Sequence, residues 1–193
     1  MVKDVIEIDK IIGMPVLSRQ TGNNVGKVYD LYIDPKNGVL RGVTIQAPNS
    51  KLGGIDFQDV YSFGQDAVMV DNDQRIVVLE EGWIENHPHA RKHLIGTNVI
   101  SDSGKHLGQI GNVYIRLMTP PIVIYEVRGS MLDSWLGRNL FIYAADVSAL
   151  SSNAERLIVS DAVVSHGASN LTELLSHPPG NYGDAAQRNR AVS

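Results

Sequence analysis

Three histidines, His87, His89 and His93, stand within seven residues of one another. Imidazole nitrogens at this spacing could bind Zn²⁺ or Ni²⁺ if the segment turned to bring them together. Arg91 and Lys92 lie inside the group, and their positive charges oppose the capture of a metal cation. We therefore expect a polar linker here, and the sequence predicts neither a metal site nor a cofactor.

Two acidic residues, Asp30 and Asp34, flank a strand pattern and would project with Tyr32 to one face. Such a pair of carboxylates could exchange protons or bind a cation. A second copy of this pattern, described below, has Asn112 and Arg116 at the corresponding positions, so the acidic pair is not kept. The sequence therefore favours a solvated face, with Asp34 starting a turn.

Nucleophile motifs are absent from the chain. None of the serines lies in a Gly-x-Ser-x-Gly turn, and the glycine pair in Lys51–Gly54 is too short for a phosphate-binding loop. The sequence has no cysteine, which excludes disulfides, thiolate nucleophiles and iron–sulfur clusters. We assign no catalytic residue and expect that the protein is not an enzyme.

The segment 131–136 is the first candidate for a contact with a protein partner. Leu132, Trp135 and Leu136 follow the i, i+3, i+4 spacing of one helical turn. Tryptophan and leucine on an exposed loop could anchor a partner. The alternative is that the turn packs internally, which the solubility of an acidic chain favours. The sequence leaves both interpretations open.

Arg116 and Arg128 are the second candidate for a partner contact. Residues 1–90 carry 8 basic and 13 acidic side chains, whereas residues 91–165 carry 7 and 6. The second half is therefore less acidic, and its arginines could form a modest patch. The net charge of −4 and the pI near 5.8 exclude a generally basic surface of the kind that binds nucleic acid.

The composition is that of a folded protein. Hydrophobic residues make up 43% of the 193 residues and charged residues 20%, and this length allows one ordinary domain or two small ones. Acidic residues interrupt the apolar ones at the N-terminus, and no long uncharged apolar stretch follows. We therefore expect a cytoplasmic protein without a transmembrane segment, and peripheral association with a membrane stays open.

An internal repeat is the strongest signal in the chain. Glycines, aliphatic residues and one Tyr-Ile pair recur in the same order at an offset of 82 to 89 residues. The matching segments are 11–18 with 94–101, 22–28 with 104–110, 31–33 with 113–115, 40–45 with 122–127, 59–60 with 146–147, and 68–70 with 157–159. Conserved order over such a length indicates a duplication.

Each copy has the pattern of a small antiparallel β unit. Residues 27–34 and 41–46 alternate so that each presents one apolar face. Asp34–Gly38 joins them, and its Asn-Gly pair supplies the positive φ of a tight turn. The second copy has two prolines within 118–121 at this place. Because residues 1–165 show no convincing helical period, the sequence predicts an all-β fold of small barrels.

The glycines and aliphatic residues of the first copy resemble the PRC-barrel domain family. The resemblance rests on Ile12–Val16, Gly22–Asp34 and residues 59–70, and a second, degenerate copy runs over 95–159. It implies a small β-barrel that serves as a binding or assembly module. Relatives include the cytoplasmic domain of the photosynthetic reaction-centre H subunit and the C-terminal domain of a ribosome maturation factor.

The predicted organisation is two tandem PRC-type β-barrels followed by a short C-terminal helix and a disordered tail. The boundaries are residues 1–85 for the first barrel, 86–91 for a linker, 92–165 for the second barrel, and 166–193 for the helix and tail. A lone core of this size is marginally stable, so the barrels should pack against each other.

The expected function is that of a non-catalytic adaptor or scaffold for a protein partner, which could sit at the cytoplasmic face of a membrane complex. The alternative is a ribosome- or RNA-associated assembly factor, although the acidic charge disfavours a nucleic-acid partner. A third reading, an accessory protein of a photosynthetic reaction centre, rests on the resemblance alone. Homo-oligomerisation stays open.

Overall fold

A computed structural model of the chain describes residues 4–34, 37–83, 91–129, 139–151, 153, 155–165 and 167–177. Short strands dominate these residues, which confirms the predicted all-β class. The strands are β1 Val5–Glu7, β2 Pro15–Ser18, β3 Asn24–Asp34, β4 Val39–Gln46, β5 Leu52–Asp56, β6 Val60–Phe63, β7 Val68–Val70, β8 Val77–Val78, β9 Asn98–Ser101, β10 His106–Arg116, β11 Ile122–Arg128, β12 Leu140–Tyr143, β13 Val147–Leu150 and β14 Arg156–Val159. The helices are α1 Arg91–Leu94, α2 Asp161–Ser165 and α3 Leu171–Leu175.

The two halves of the chain repeat one order of strands. Across the first half the order is β8–β5–β4–β3–β2–β7–β6, and across the second it is β12–β11–β10–β9–β14–β13. Neighbours are antiparallel except for one parallel pair in each half, β2 with β7 and β9 with β14. We call β2–β8 the first barrel and β9–β14 the second barrel.

The same irregularity interrupts the long central strands β3 and β10. A β-bulge follows Val28 in β3 and Ile110 in β10. The next paired residues, Asp30 and Asn112, are buried, and each accepts the backbone N–H of the following residue, at 2.7 and 2.8 Å respectively. The expectation of a solvated face is therefore wrong for Asp30, because the bulge breaks the strict alternation of the strand.

A second bulge corrects part of the repeat alignment. The sequence matches Leu40 with Ile122, but Leu40 lies opposite Ile33, and Val123 lies opposite the residue of β10 that corresponds to Ile33. Leu40 is therefore equivalent to Val123. The offset changes because Arg41 is an extra, unpaired residue of β4 that β11 lacks.

The barrels join around a local twofold relation between β4 and β11. The Leu40 N–H donates to the Pro121 carbonyl at 3.2 Å, and the Val123 N–H donates to the Gly38 carbonyl at 2.9 Å. The internal repeat makes Leu40 equivalent to Val123 and Gly38 equivalent to Pro121, so each of these two bonds is the counterpart of the other. The segments that precede the two barrels are also exchanged between them. The 3₁₀ turn Ile8–Lys10 precedes the first barrel and contacts β10 of the second, and α1 precedes the second barrel and contacts β3 of the first. The buried aliphatic residues of both barrels form one continuous core.

The N-terminal strand β1 adds to the second barrel, although it precedes the first in the chain. It pairs with β10, with Glu7 opposite Tyr114. The Glu7 carboxylate accepts Asn112 Nδ2–H at 2.6 Å and lies 3.2 Å from Lys10 Nζ. These contacts, that of Asn112 first, hold the pKa of Glu7 below its ordinary value. The stabilisation is therefore present above the ordinary pKa and is lost as the pH falls through the lowered one.

The C-terminal helix α3 begins with the cap that its sequence indicates. The Asn170 side chain accepts the Glu173 backbone N–H at 3.0 Å, and the Glu173 carboxylate accepts the Ser169 backbone N–H at 2.8 Å. The predicted short C-terminal helix is confirmed, and the predicted tail from residue 178 onward lies outside the described residues. No helix among the described residues is long and apolar enough to cross a membrane.

Tyr125 provides a test of packing in the second barrel. It is fully buried, and its hydroxyl has no hydrogen-bond partner in the described part of the chain. Burial raises the pKa of Tyr125. Because an orphaned buried hydroxyl is destabilising, Tyr125→Phe should raise the free energy of unfolding by about 1–2 kcal/mol. The check is urea denaturation of the variant.

The matched control is Tyr143→Phe, since the Tyr143 hydroxyl donates to the carbonyls of Leu174 at 3.0 Å and His177 at 2.8 Å. This variant should lose about 1 kcal/mol. A loss of stability in both variants would show that the Tyr125 hydroxyl has a partner in solution.

Candidate functional site

The face formed by β4 and β5 in the first barrel corresponds to the face formed by β11 and β12 in the second. Thr44 and Glu126 each pair with the residue that follows the first bulge of the central strand. Gly54 lies opposite Thr44, and Phe141 lies opposite Glu126. Gly54 is therefore equivalent to Phe141.

The same register relates the next pair of residues along these strands. Gly42 lies opposite Asp56, and Ile124 lies opposite Tyr143. Two glycines of the first barrel, Gly42 and Gly54, thus replace an isoleucine and a phenylalanine of the second. The two faces have the same strand pairing, but the side chains at these two positions are much smaller on the first face than on the second.

On the second barrel this face is covered by the C-terminal segment of the chain. Ile124, Phe141 and Tyr143 form a buried cluster with Ala168 and Leu174. The Phe141 N–H donates to the Ala168 carbonyl at 2.9 Å, so the segment also adds one bridge to the sheet. Burial raises the pKa of Tyr143. The second face is therefore occupied by its own chain.

A buried carboxylate closes the polar edge of this second face. Glu126 is 5% exposed, and it accepts hydrogen bonds from the Tyr114 hydroxyl at 3.0 Å, from Asn139 Nδ2 and from Arg128 Nε at 3.4 Å. Burial and the hydrogen bond to Glu126 raise the pKa of Tyr114 to about 12. The carboxylate thus has several donors within the barrel.

On the first barrel the equivalent face is an open cleft of about 610 Å³. Gly42 and Gly54 form its floor, and Tyr32, Leu79 and Trp83 are among the residues of its walls. Tyr32 and Trp83 meet edge to face, with ring centroids 5.6 Å apart and an interplanar angle of 62°. The cleft has an aromatic wall, and the Leu79 side chain lies over its floor at Gly54.

The neighbouring strand leaves no room for a side chain at one of the two glycines in the floor of the cleft. A Cβ at Gly42 would lie 2.6 Å from the Ile55 carbonyl oxygen, whereas one at Gly54 would lie 3.1 Å from the flexible end of Leu79. Backbone atoms cannot move aside as a side-chain terminus can. Gly42 therefore cannot gain a side chain without a shift of β5, and Gly54 can.

Charged groups at the rim are paired with each other. Arg41 donates to Asp34 Oδ2 from both Nη2, at 2.7 Å, and Nε, at 3.0 Å. Arg41 is the extra residue of the second bulge, which places its side chain beside the carboxylate at the strand end. The acidic pair considered from the sequence thus separates into a buried Asp30 and an ion-paired Asp34.

One polar group that lines the cleft has no partner in the described part of the chain. Thr44 is 2% exposed, and its Oγ1 makes no hydrogen bond there. Leaving a buried hydroxyl unsatisfied costs about 1–3 kcal/mol. The Oγ1 atom is itself buried, so this hydroxyl is not presented on the surface of the cleft.

The arginines predicted as a contact patch lie at opposite ends of one hairpin. Arg116 lies opposite Ile122 at the start of β11, whereas Arg128 ends that strand. Six residues of strand separate the two positions, which is about 20 Å. Arg128 also pairs with Glu126. The structure does not bring Arg116 and Arg128 together into one patch.

Several sequence candidates fall where the structure gives no description. His87 and His89 lie outside the described residues, and His93 is partly buried, with its carbonyl accepting the Thr97 hydroxyl at 3.2 Å. Within the described ranges no cluster of three potential metal ligands occurs. Leu132, Trp135 and Leu136 also lie outside them, so their role stays a prediction.

The cleft residues were missed from the sequence, although a signal existed. Once the strands are placed in register, the substitution of Phe141 by Gly54 stands out as a change of side-chain volume within otherwise matched strands. The two copies differ in length over this stretch, and this difference concealed the substitution when the two sequences were aligned. Thr44 carries no signal of its own, because only packing shows that its hydroxyl is buried.

Comparisons with known proteins support the fold of the first barrel. Residues 3–76 match the family model of the PRC-barrel domain, so this part of the chain is a PRC-barrel domain. The second barrel lies outside that match. No curated protein shows significant sequence similarity to the chain.

One solved structure with a detectable likeness is that of the 16S ribosomal RNA processing protein RimM from Pseudomonas aeruginosa. The two chains are 13% identical, and the match covers 81% of this chain and 97% of that one, with a TM-score of 0.30.

Proposed function

We propose that the chain is a non-catalytic adaptor that binds a protein partner in the cleft of the first barrel. The observation that carries this proposal is the difference between two equivalent faces. The second barrel buries its face under its own C-terminal segment, whereas the face of the first, on which Leu79 and Trp83 are the described residues of the segment after β8, retains a cleft of about 610 Å³. A face that keeps a cleft between its described residues is a place where another chain can bind.

The surroundings of the cleft support a protein ligand more than a reaction. Of the two carboxylates that line it, those of Asp34 and Asp56, Asp34 is held by Arg41, so it is poorly placed to exchange protons. Val77 of strand β8 lines the cleft and is 66% exposed, and Val78 beside it is 70% exposed. Neighbouring exposed apolar residues at the rim of a cleft are typical of protein interaction sites.

The second barrel would then serve as the structural support of the first. We propose that it is a diverged PRC-type copy, since it repeats the strand order, the parallel pair and the first bulge of the first barrel. Its face is closed by α3, and its β10 receives β1. A rigid support of this kind fixes the orientation in which the cleft is presented.

Site-specific photo-cross-linking tests the proposal. A benzophenone amino acid is placed at Val77 on the rim of the cleft, and at Met118, an apolar residue of the second barrel that is 45% exposed, as the matched control. We expect irradiation of intact cells to give one discrete adduct from position 77 and none from position 118. Absence of any adduct at 77 would overturn the proposal, and an adduct with a second copy of the chain would replace it with a homo-oligomer.

For the alternative function, association with RNA, we expect only weak binding. Arg116 and Arg128 are about 20 Å apart along the strand, and Arg128 is paired with Glu126. Few phosphates could therefore be neutralised together, and binding to single- or double-stranded RNA should be weak. Filter binding between 50 and 200 mM salt measures this: two neutralised phosphates correspond to a loss of about tenfold over this range, whereas six to ten correspond to a loss of about 10³-fold or more.

Tight binding that survives the higher salt and disappears in Arg116→Glu and Arg128→Glu would favour the ribosomal reading. Arg19→Glu in the first barrel, where Arg19 lies 3.7 Å from Asp71, serves as the control for a general change of charge.

A further inference from the structure

Strand β8 forms one edge of the sheet in the first barrel, and among the described strands it pairs with β5 alone. Gly53 lies opposite Val78, and the Leu79 N–H donates to the Leu52 carbonyl at 2.9 Å. This bond makes Gly53 and Val78 a non-hydrogen-bonded pair, in which the N–H and C=O of each residue point away from the other strand. The backbone N–H and C=O of Val78 are therefore directed outward from the sheet.

The edge lacks the features that protect most exposed strands. Such strands usually carry a charged residue, a proline or a bulge, which prevents another strand from pairing with them. Residues 76–79 are one isoleucine, two valines and one leucine, and the pairing of β8 with β5 shows no bulge. Val77 and Val78 are both largely exposed, and their side chains lie on opposite faces. β8 thus offers a regular apolar edge to a further strand.

The second barrel does not expose the corresponding position. Val77 lies opposite Gly54, and Ala168 lies opposite Phe141, which is the equivalent of Gly54. Ala168 is buried and belongs to the cluster that contains Leu174. The chain therefore covers this edge position in one barrel and exposes it in the other.

Exposed carboxylates follow the edge directly. Glu80 and Glu81 come after Leu79, and neither is in an ion pair within the described ranges. At the other end of β8, Arg75 Nε lies 4.0 Å from Asp59 Oδ1, so the charges there are balanced. The uncompensated charge beside the edge is thus negative and lies at the C-terminal end of β8, where it attracts a basic side chain.

We propose that an extended segment of the partner adds to β8 as a further strand. Its backbone bonds the outward N–H and C=O of Val78, and its apolar side chains contact the two valines. A lysine or arginine at one end of the segment reaches Glu80 and Glu81. This inference rests on the proposed function and adds the conformation and the chemistry of the bound segment. Because Val77 also lines the cleft, edge and cleft form one continuous site.

Nuclear magnetic resonance of the full chain with two short peptides provides the test. The probes are acetyl-Lys-Lys-Val-Ile-Val-amide and acetyl-Val-Ile-Val-Lys-Lys-amide, which bring their lysines to Glu80 when they pair antiparallel and parallel to β8, respectively. We expect at least one of them to bind with a Kd of roughly 0.1–1 mM. At about ten times this Kd, hydrogen exchange of the Val78 amide should slow about tenfold, because it then proceeds from the free fraction. The edge strand β13, which has a bulge after Val147, is the control and should show no change.

N-methylated peptides separate strand pairing from simple apolar contact. Successive N–H groups of an added strand point alternately toward β8 and away from it. Methylation of the isoleucine nitrogen and methylation of the nitrogen of the valine before it should therefore differ. One of the two peptides should bind about tenfold more weakly or worse, and the other should bind as the parent does. Equal effects would overturn the added strand.

Two substitutions at Val78 separate the backbone from the side chain in the protein. Val78→Pro removes the outward N–H and leaves the bonds to β5, and proline is tolerated at such an edge position. This variant should fold and should bind the peptides about tenfold more weakly or worse. Val78→Thr keeps the N–H and the shape of the side chain, so it should weaken binding only about threefold. Affinity is read from the amide shifts of Val77 and Leu79.

The basic end of the segment is tested by combining Glu80→Gln and Glu81→Gln. This double variant should weaken the lysine peptides about twofold to tenfold at low salt, the range for exposed ion pairs. Glu155→Gln, at an exposed glutamate of the second barrel, is the control for net charge and should leave the affinity unchanged. Equal affinity of the double variant and the wild type would overturn the assignment of a basic residue.

The outcomes distinguish this inference from the proposed function. Absence of protection at Val78 with either peptide at about 10 mM, or unchanged binding to Val78→Pro, would overturn the added strand. If position 77 still cross-links a partner in that case, the adaptor function stands and side chains alone hold the partner. If the peptides bind as expected but position 77 gives no adduct in cells, the edge accepts strands and the proposed function fails.

Discussion

Gly38→Ala should separate the two barrels and lower the free energy of unfolding by about 2–5 kcal/mol. Gly38 has φ of +63°, and a Cβ on it would overlap the Ala145 amide nitrogen and lie 2.6 Å from the Ala145 Cα. The obstacle is backbone of the second barrel, so relief requires movement of the junction. The Val123 N–H donates to the Gly38 carbonyl, and that bond would be strained as well. Urea denaturation measures the loss.

The matched control for this variant is Gly104→Ala. Gly104 has φ of +83°, but no atom lies within 4 Å of the Cβ it would gain. Only the left-handed backbone is penalised there, at about 1–2 kcal/mol. If the two variants lose the same stability, the close approach at the junction does not exist in solution.

Leu174→Ala should release the C-terminal helix from the second barrel. Leu174 is fully buried against the face that contains Ile124, Phe141 and Tyr143. Removing a buried leucine side chain costs about 2–5 kcal/mol in a well-packed site. Because α3 packs on the barrel through this face, the global loss cannot exceed the free energy with which the helix docks. Thermal unfolding and limited proteolysis within 167–177 together report both quantities.

An exposed position on the same helix, Thr172→Ala, gives the comparison. It should change stability by no more than about 0.5 kcal/mol and should leave the proteolysis rate unaltered. Indistinguishable behaviour of Leu174→Ala and Thr172→Ala would mean that the second face is not covered by α3. The contrast between a closed and an open face would then disappear, and with it the main support for the cleft as a binding site.

Much of the fold could be predicted because its determinants are local. The Asn-Gly pair indicated a positive φ, and Gly38 has it. The cap of the C-terminal helix is equally local, since Asn170 and Glu173 are three positions apart. In each case residues a few positions apart in the chain decide the local conformation, so no knowledge of distant contacts was needed.

The parts that escaped prediction depend on which strands become neighbours. β1 pairs with β10, more than 100 positions further along the chain, and nothing in Val5–Glu7 specifies that partner. The bulge at Arg41 shifted the alignment by one residue, and the burial of Asp30 follows from another bulge. The cleft brings together Gly54 and Tyr32, which lie diagonally across a third strand, β4, and such a juxtaposition is a property of the assembled sheet.

The paired bonds between β4 and β11 have the form of the interface in a twofold homodimer, in which each patch contacts its own copy. A homodimer of one barrel would depend on protein concentration and would offer two identical clefts. Joining the copies in one chain removes that dependence and lets each half change alone. Because the C-terminal segment covers the face of the second barrel, the stoichiometry that we expect is a single partner for each molecule.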